Sequence, residues 1–284
     1  MEPSRAKVNG QPPGTIAPQV HRINCFPATA MAWPHSRRQN RSTQGFRAPS
    51  LARRTGRYPV PMKRLAVFAR APEPGRVKTR LSPALPPDLA CDLYRAMLRD
   101  TFEAATEAHA DERYVYWAEQ KSSVSAPTDG LQVRVQQGAD LGARLDHAFG
   151  ELLRALDDRV VIMGADCPGL DAAALRSAFE ALESRDLVLG PTRDGGYYLV
   201  GLRRPAPQIF RGIAWSTEQV LDQTLERARD AKLTIAALDE LEDLDTPEAL
   251  VRWLGQAAWE PGPGRHTEEA LRAMGLLPTA ASQR

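Results

Sequence analysis

The stretch Val160-Val161-Ile162-Met163-Gly164-Ala165-Asp166-Cys167-Pro168-Gly169-Leu170 constrains the fold more than any other part of the chain. Its apolar run is short, β-branched at its start, and stops at a glycine. That suits an interior strand of a parallel sheet, which is covered on both faces and reads as continuously apolar. Asp166 falls just beyond the strand's carboxyl end, the edge of an open α/β sheet where ligands bind. Pro168 and Gly169 turn the chain, and Asp171 can cap the helix that follows. A carboxylate in that place can hold a metal or orient a sugar or phosphate. It can also do no more than cap a turn.

The charge along the chain is uneven. Residues 1–61 carry ten Lys/Arg and one acid, Glu2, hence +9. The remainder carries 27 basic and 34 acidic residues, hence −7. The first part also holds nine of the 23 prolines and little apolar periodicity. It reads as a disordered basic extension, a nucleic-acid arm or a transit peptide. Met62-Lys63-Arg64 followed at once by a strand looks like the natural beginning of the folded part. The second part is rich in Leu, Ala and Val and long enough to bury a core. Three widely spaced cysteines (Cys25, Cys91, Cys167) make neither a zinc pattern nor a disulfide framework, so a reducing, cytoplasmic setting is expected. No apolar run approaches the roughly 18 residues of a membrane span.

Strands and helices alternate from Arg64 onward. A first strand, residues 64–69, runs into a loop that places Arg70, Arg76, Lys78 and Arg80 within eleven residues, with only Glu73 to offset them. Gly75 lets the backbone approach a ligand closely. A cationic first β-to-α loop suits a di- or triphosphate. It is not a P-loop, because Lys78 does not directly follow the glycine. Residues 87–108 read as a helix with an apolar stripe from Leu89 to Ala105. Strands are expected over 113–119 and 131–136, with a polar loop at 122–130 between them. Asp140 is a plausible N-cap for a helix burying Leu141, Leu145, Phe149, Leu152 and Leu156, and Arg144 lies on its first turn.

Beyond the central strand come a helix over 171–183 and a strand over 186–190. Asp194-Gly195-Gly196 precedes an alternating aromatic and apolar run, which is a hairpin signal. The glycines also permit close approach of a ligand, and Asp194 offers a second carboxylate. Ser216 and Gln219 fit a capping box. A strand over 232–238 precedes Asp243-Leu244-Asp245-Thr246-Pro247. There Thr246 and Pro247 start a helix, and the two acids lie on one side of an extended segment. The run is Asp-x-Asp-Thr and follows the last strand, whereas the Asp-x-Asp-x-Thr signature of a haloacid-dehalogenase-type phosphatase follows the first, which excludes that reading. Residues 256–284 read as a Gly/Pro-rich tail with one short helix.

Six blocks occur in order over residues 62–254. They are residues 68–81, Asp140 to Arg144, Gly164 to Leu170, Gly190 to Gly201, Trp215-Ser216-Thr217, and Asp243 to Pro247. On these blocks the chain resembles the DUF2064 family, the radical-SAM/selenodomain-associated transferase 1 group of the glycosyltransferase-A, or nucleotide-diphospho-sugar transferase, superfamily. The resemblance implies a single Rossmann-like α/β/α sandwich over residues 62–255 with a mostly parallel central sheet. It also implies a transferase using a nucleotide or sugar-nucleotide donor and a small-molecule acceptor. Glycosyl and nucleotidyl transfer both stay open. A non-catalytic nucleotide-binding module is the alternative from another class. The core's −7 argues against a nucleic-acid partner.

Moving phosphate charge calls for positive charge, from Mg²⁺ or Mn²⁺ and from Lys/Arg. Mg²⁺ takes only one or two carboxylates besides phosphate oxygens and water. Asp166 is the first expected metal ligand, Asp245 the second and Asp243 the third. Lys78 and Arg76 are expected to neutralise phosphates, assisted by Arg70 and Arg80. Asp194 and the Gly195-Gly196 backbone are expected to face the acceptor or the ribose. Lys78, Asp166 and Asp194 are the expected catalytic set.

Overall fold

The computed structural model describes residues 24–25, 60–82, 84–119, 128, 130–257 and 263–278. The basic extension expected over residues 1–61 falls almost wholly outside the described residues, as does most of the loop expected at 122–130. In chain order the elements are β1 (Asn24–Cys25), β2 (Lys63–Ala69), α1 (Pro87–Glu107), β3 (Glu112–Trp117), β4 (Gln132–Val135), α2 (Leu141–Leu152) and β5 (Arg159–Met163). There follow α3 (Ala172–Ala181), β6 (Leu187–Pro191), β7 (Tyr197–Leu202), α4 (Val220–Asp230), β8 (Ile235–Ala237), α5 (Pro247–Ala257) and α6 (Arg265–Ala273).

One sheet orders these strands β1-β8-β6-β7-β5-β2-β3-β4. β2 lies parallel to β3 and β5, β3 to β4, and β6 to β8. β7 runs antiparallel between β5 and β6. The carboxyl ends of β2, β5, β6 and β8 therefore share one edge of the sheet. The expected α/β class with a mostly parallel sheet is what the chain adopts.

Alternation along β5 explains the layers. Val161 and Met163 face a core built with α1 and α3, through Leu98, Phe102, Leu175 and Phe179. Val160 and Ile162 face a second core built with α2, through Leu145, Phe149 and Leu152. Both faces of the strand are covered, so its sequence is apolar throughout.

A third core lies outside α1. It joins Leu81, Leu93, Met97, Leu244, Leu250, Trp253, Leu271 and Leu277. Helix α6 is thus packed onto α1. Its N-cap position is Gly264, which offers no side-chain acceptor. Asp100 of α1 supplies the missing acceptor, taking the backbone N–H groups of His266 and Thr267, both at 2.8 Å, and the Thr267 hydroxyl at 2.6 Å.

The helix starts follow the expected chemistry in three places. Asp140 and Asp171 each accept the third backbone N–H of their helix at 2.7 Å, from Ala143 and Ala174. Thr246 accepts from Ala249 N–H at 3.2 Å. The capping box expected at Ser216 does not form. Ser216 adopts φ 65°, Thr217 bonds to the Ala214 carbonyl and the Gln219 N–H, and helix α4 begins at Val220. Helix α2 is also shorter than its apolar spacing suggests: it ends at Leu152, and Leu156 is 90% exposed. Leu141, at its first position, is exposed as well.

Candidate active site

The loop after β2 carries the basic residues. Glu73-Pro74-Gly75-Arg76 forms a turn closed by Arg76 N–H to the Glu73 carbonyl at 3.1 Å. Proline at the second position and Gly75 at φ 72° are the type II pattern. A Cβ at Gly75 would meet open space, so the glycine is needed for its backbone angle. The chain then enters a 3-10 turn at Thr79–Leu81, with Lys78 in the left-handed region at φ 50°. Leu81 is buried in the third core and anchors that turn.

Lys78 is the most confined of the cations. Its side chain is 2% exposed, and its Nζ lies 2.6 Å from Asp166 Oδ1 and 3.7 Å from Asp245 Oδ1. The nearer contact engages at most one of the ammonium's three donors, which leaves the others unmet among the described residues. An unmet buried donor of this kind is costly. Arg80 reaches Asp245 Oδ2 at 3.5 Å from a largely exposed position. Arg76 turns the other way, to Glu73 at 3.3 Å and Glu119 at 3.5 Å. Arg70 is exposed, its backbone held on both sides by the Tyr94 hydroxyl.

Four carboxylates gather at the same edge. Asp166 follows β5, and its side chain is 56% exposed. The segment after β8 is fastened beside it: Leu244 N–H donates to the Asp166 carbonyl at 2.8 Å, and Leu241 exchanges backbone bonds with Pro191 and Arg193. Leu244 is fully buried, so Asp243 and Asp245 face the other way, as the alternation predicts. Asp194 sits in the β6–β7 turn, where Oδ1 accepts from the Thr192 hydroxyl at 2.5 Å and from Gly196 N–H at 3.0 Å.

Burial, with the Asp194 charge second, pushes the Asp243 carboxyl up to about 6. Burial also raises Asp245, against the pull of Lys78. The Cys167 thiol is pushed well above its usual range by burial and then by Asp166. The site is therefore an excess of acids around one buried cation.

The three acids expected to ligate a metal are gathered but do not form a closed cage. Among the described residues, the group whose ligating atoms all lie within 4.8 Å of one another is Asp100, Glu103 and His266. There the Asp100 oxygens already cap α6, and Arg265 pairs with Glu103 at 3.4 Å, so that cluster reads as an interhelix fastening. Asp166 and Asp245 instead share Lys78.

The first glycine of the β6–β7 turn has a role the sequence does not disclose. Gly195 stands at φ 86°, and a Cβ there would collide with the carbonyl oxygen of Glu218. Its own carbonyl accepts from Leu221 N–H at 2.9 Å. The close approach it permits is thus to the start of α4. Trp215 likewise touches the space a Cβ would take at Gly142, and meets the Tyr197 ring edge-on at 6.4 Å. Arg144 bonds to the Gly138 carbonyl at 3.2 Å and to Gln136 at 3.4 Å, and Gln136 reaches the Ala69 and Tyr116 carbonyls. This network ties the ends of β2, β3 and β4 to α2.

Known proteins align with this arrangement. A 2-phospho-L-lactate guanylyltransferase of Methanothermobacter thermautotrophicus is 29% identical over 201 residues, covering 69% of this chain and 85% of that protein. The crystal structure of a protein from Desulfovibrio desulfuricans G20, provisionally named a nucleotide-diphospho-sugar transferase, is 28% identical with a TM-score of 0.67. It covers 78% of this chain and 100% of that one. Residues 101–217 match the family described as "Uncharacterized protein conserved in bacteria (DUF2064)". Over that central segment the chain is similar to the DUF2064 family, and it has the nucleotide-diphospho-sugar transferase fold.

Proposed function

We propose that residues 62–255 form a metal-dependent transferase acting on a nucleotide-activated donor, and that it transfers a nucleotidyl group from a nucleoside triphosphate to a phosphorylated small molecule. The observation that carries this reading is the buried, hydrogen-bond-deficient Lys78 ammonium facing Asp166 and Asp245 below a cationic loop. A phosphate oxygen supplies an acceptor for the donors that Asp166 leaves unused. The guanylyltransferase name of the archaeal relative supports the same reaction class.

The donor set fits a hard divalent cation. Acids outnumber the one buried cation, all are oxygen donors, and burial disfavours their charge until a cation arrives. Asp166 and Asp245 would hold Mg²⁺ or Mn²⁺, with Asp243 behind them. When bound, the ion supplies positive charge to the phosphate oxygens as negative charge develops there. Lys78 holds a non-bridging phosphate oxygen at the floor of the site. Arg80 and Arg70 neutralise the outer phosphates, and Arg76 joins them by leaving Glu73 and Glu119. Asp194, fixed by Thr192 and Gly196, faces the acceptor side.

A second reading, glycosyl transfer from a sugar nucleotide, is favoured by the name of the Desulfovibrio relative. No described helix is long and apolar enough to cross a membrane. The free, buried Cys91 and Cys167 suit a reducing, cytoplasmic setting.

The test is a thermal-shift panel on the full chain with nucleoside triphosphates and sugar nucleotides, each with and without Mg²⁺ or Mn²⁺. A ligand at a hundred times its dissociation constant stabilises by about 2.7 kcal/mol. Stabilisation by a triphosphate plus metal, then pyrophosphate release on adding acceptor, supports nucleotidyl transfer. Stabilisation by sugar nucleotides alone moves the assignment to glycosyl transfer. Binding without metal and without turnover makes the chain a nucleotide-binding module.

A further inference from the structure

Lys78 occupies the place where the two expected metal ligands meet. Its ammonium stands 2.6 Å from Asp166 and 3.7 Å from Asp245, with its side chain 2% exposed. A lysine that only binds phosphate has no need to be buried among the carboxylates, and a metal-ligating pair has no need of a lysine. Both features in one contact suggest one cation standing in for another.

We propose that Lys78 is an internal counter-ion which fills the Asp166–Asp245 position in the ligand-free protein and passes to the donor's phosphate when the donor binds, so that metal and donor bind synergistically. The inference rests on the metal-dependent reading above. Two observations carry it apart from the acids themselves. The ammonium spends at most one of its three donors on Asp166 despite its burial, so a phosphate oxygen that takes the others can draw it off the carboxylate. The Lys78 backbone lies in the left-handed region at φ 50°, immediately before the 3-10 turn anchored by buried Leu81. The main chain is thus fixed, and the exchange is a side-chain movement.

The charge arithmetic gives the direction. With Lys78 in place, a divalent ion approaching Asp166 and Asp245 meets a positive charge already at the carboxylates, and like charges a few ångströms apart repel strongly where solvent is partly excluded. Metal alone should bind weakly. Once a phosphate takes the ammonium, the carboxylates are freed and the phosphate adds ligand oxygens. By linkage the same factor must tighten phosphate binding when metal is present.

The experiment is a Mn²⁺ titration of the full chain at neutral pH, read as the electron paramagnetic resonance signal of free Mn²⁺. It compares wild type with Lys78→Met and Lys78→Ala, each checked for a cooperative melt. The expected result is at least tenfold tighter Mn²⁺ binding by the variants in the absence of any phosphate compound. A second measurement needs no variant. On the wild-type chain, inorganic pyrophosphate should tighten Mn²⁺ retention at least tenfold beyond a protein-free control. If wild type alone binds Mn²⁺ as tightly as the variants and pyrophosphate adds nothing, the counter-ion role is overturned while the metal-dependent reading stands. If neither wild type nor variants retain Mn²⁺, with or without pyrophosphate, both fall together.

Discussion

The Leu244 N–H donates to the Asp166 carbonyl at 2.8 Å, which joins the end of β5 to the segment bearing Asp243 and Asp245. The Leu244 side chain is fully buried with Leu81, Trp253 and Leu271. One residue thus registers both acid-bearing segments and packs beside the Leu81 turn that follows Lys78. Leu244→Ala should remove about 2–5 kcal/mol of stability through the cavity it leaves. It should also weaken Mn²⁺ or triphosphate binding in the protein that remains folded. Chemical denaturation and a binding titration at low temperature check the two effects. Unchanged affinity would detach the third core from the site.

Asp166 should be needed for turnover and not for folding, because more than half of its side chain is exposed. Asp166→Ala is expected to lower product formation by about a hundredfold or more, the scale of one lost transition-state contact. Its melting temperature should fall by no more than a few degrees, because Asp245 still faces the buried Lys78 ammonium that Asp166 leaves. Near-full activity in a working assay would remove Asp166 from the metal site.

The features legible in the sequence were those set by periodicity and by local caps. The apolar run of β5 marked a strand covered on both faces, and Asp140, Asp171 and Thr246 marked helix starts because each acts within three residues of itself. What the sequence left hidden depended on distant partners. Nothing local says that Asp100 caps a helix more than 160 residues away, or that α6 covers the turn after Lys78. Lys78 and Arg76 look alike in the loop, yet one is buried against Asp166 and the other pairs with Glu119 at the rim. The Ser216 capping box failed because Gly195 and the Glu218 backbone meet there and set where α4 can begin.

Gly195 shows the same dependence in testable form. Its positive φ and the crowding by Glu218 act together, so Gly195→Ala should cost at least about 2 kcal/mol. The turn also carries Asp194, whose hold on Gly196 N–H would shift. A fall in melting temperature together with weaker acceptor dependence of the rate is expected. A variant as stable as wild type would mean that the turn relaxes freely.

The Asp243 carboxyl supplies a pH test with a defined sign. Its folded value of about 6 lies above the ordinary carboxylate value of 3.8, with burial as the first cause and the Asp194 charge the second. The folded protein therefore binds the proton more tightly than the unfolded chain does. The stability this contributes is present below about pH 4 and is lost as pH rises through about 6. Above pH 7 the ionised group is a net burden on the ligand-free protein, on the order of 1 kcal/mol once solvent screening is allowed for. Asp243→Asn should accordingly raise the melting temperature by a few degrees at pH 7.5, and by much less at pH 4.5, in a domain of this size. Mn²⁺ should show the opposite trend, stabilising wild type more at pH 7.5 than at pH 5, because its ligands must be deprotonated. Melts of both proteins across that range, with and without Mn²⁺, measure the two slopes. An Asp243→Asn variant less stable than wild type at pH 7.5 would show that the carboxylate is held by a favourable partner in the resting site, and would remove it from the set of acids waiting for a cation.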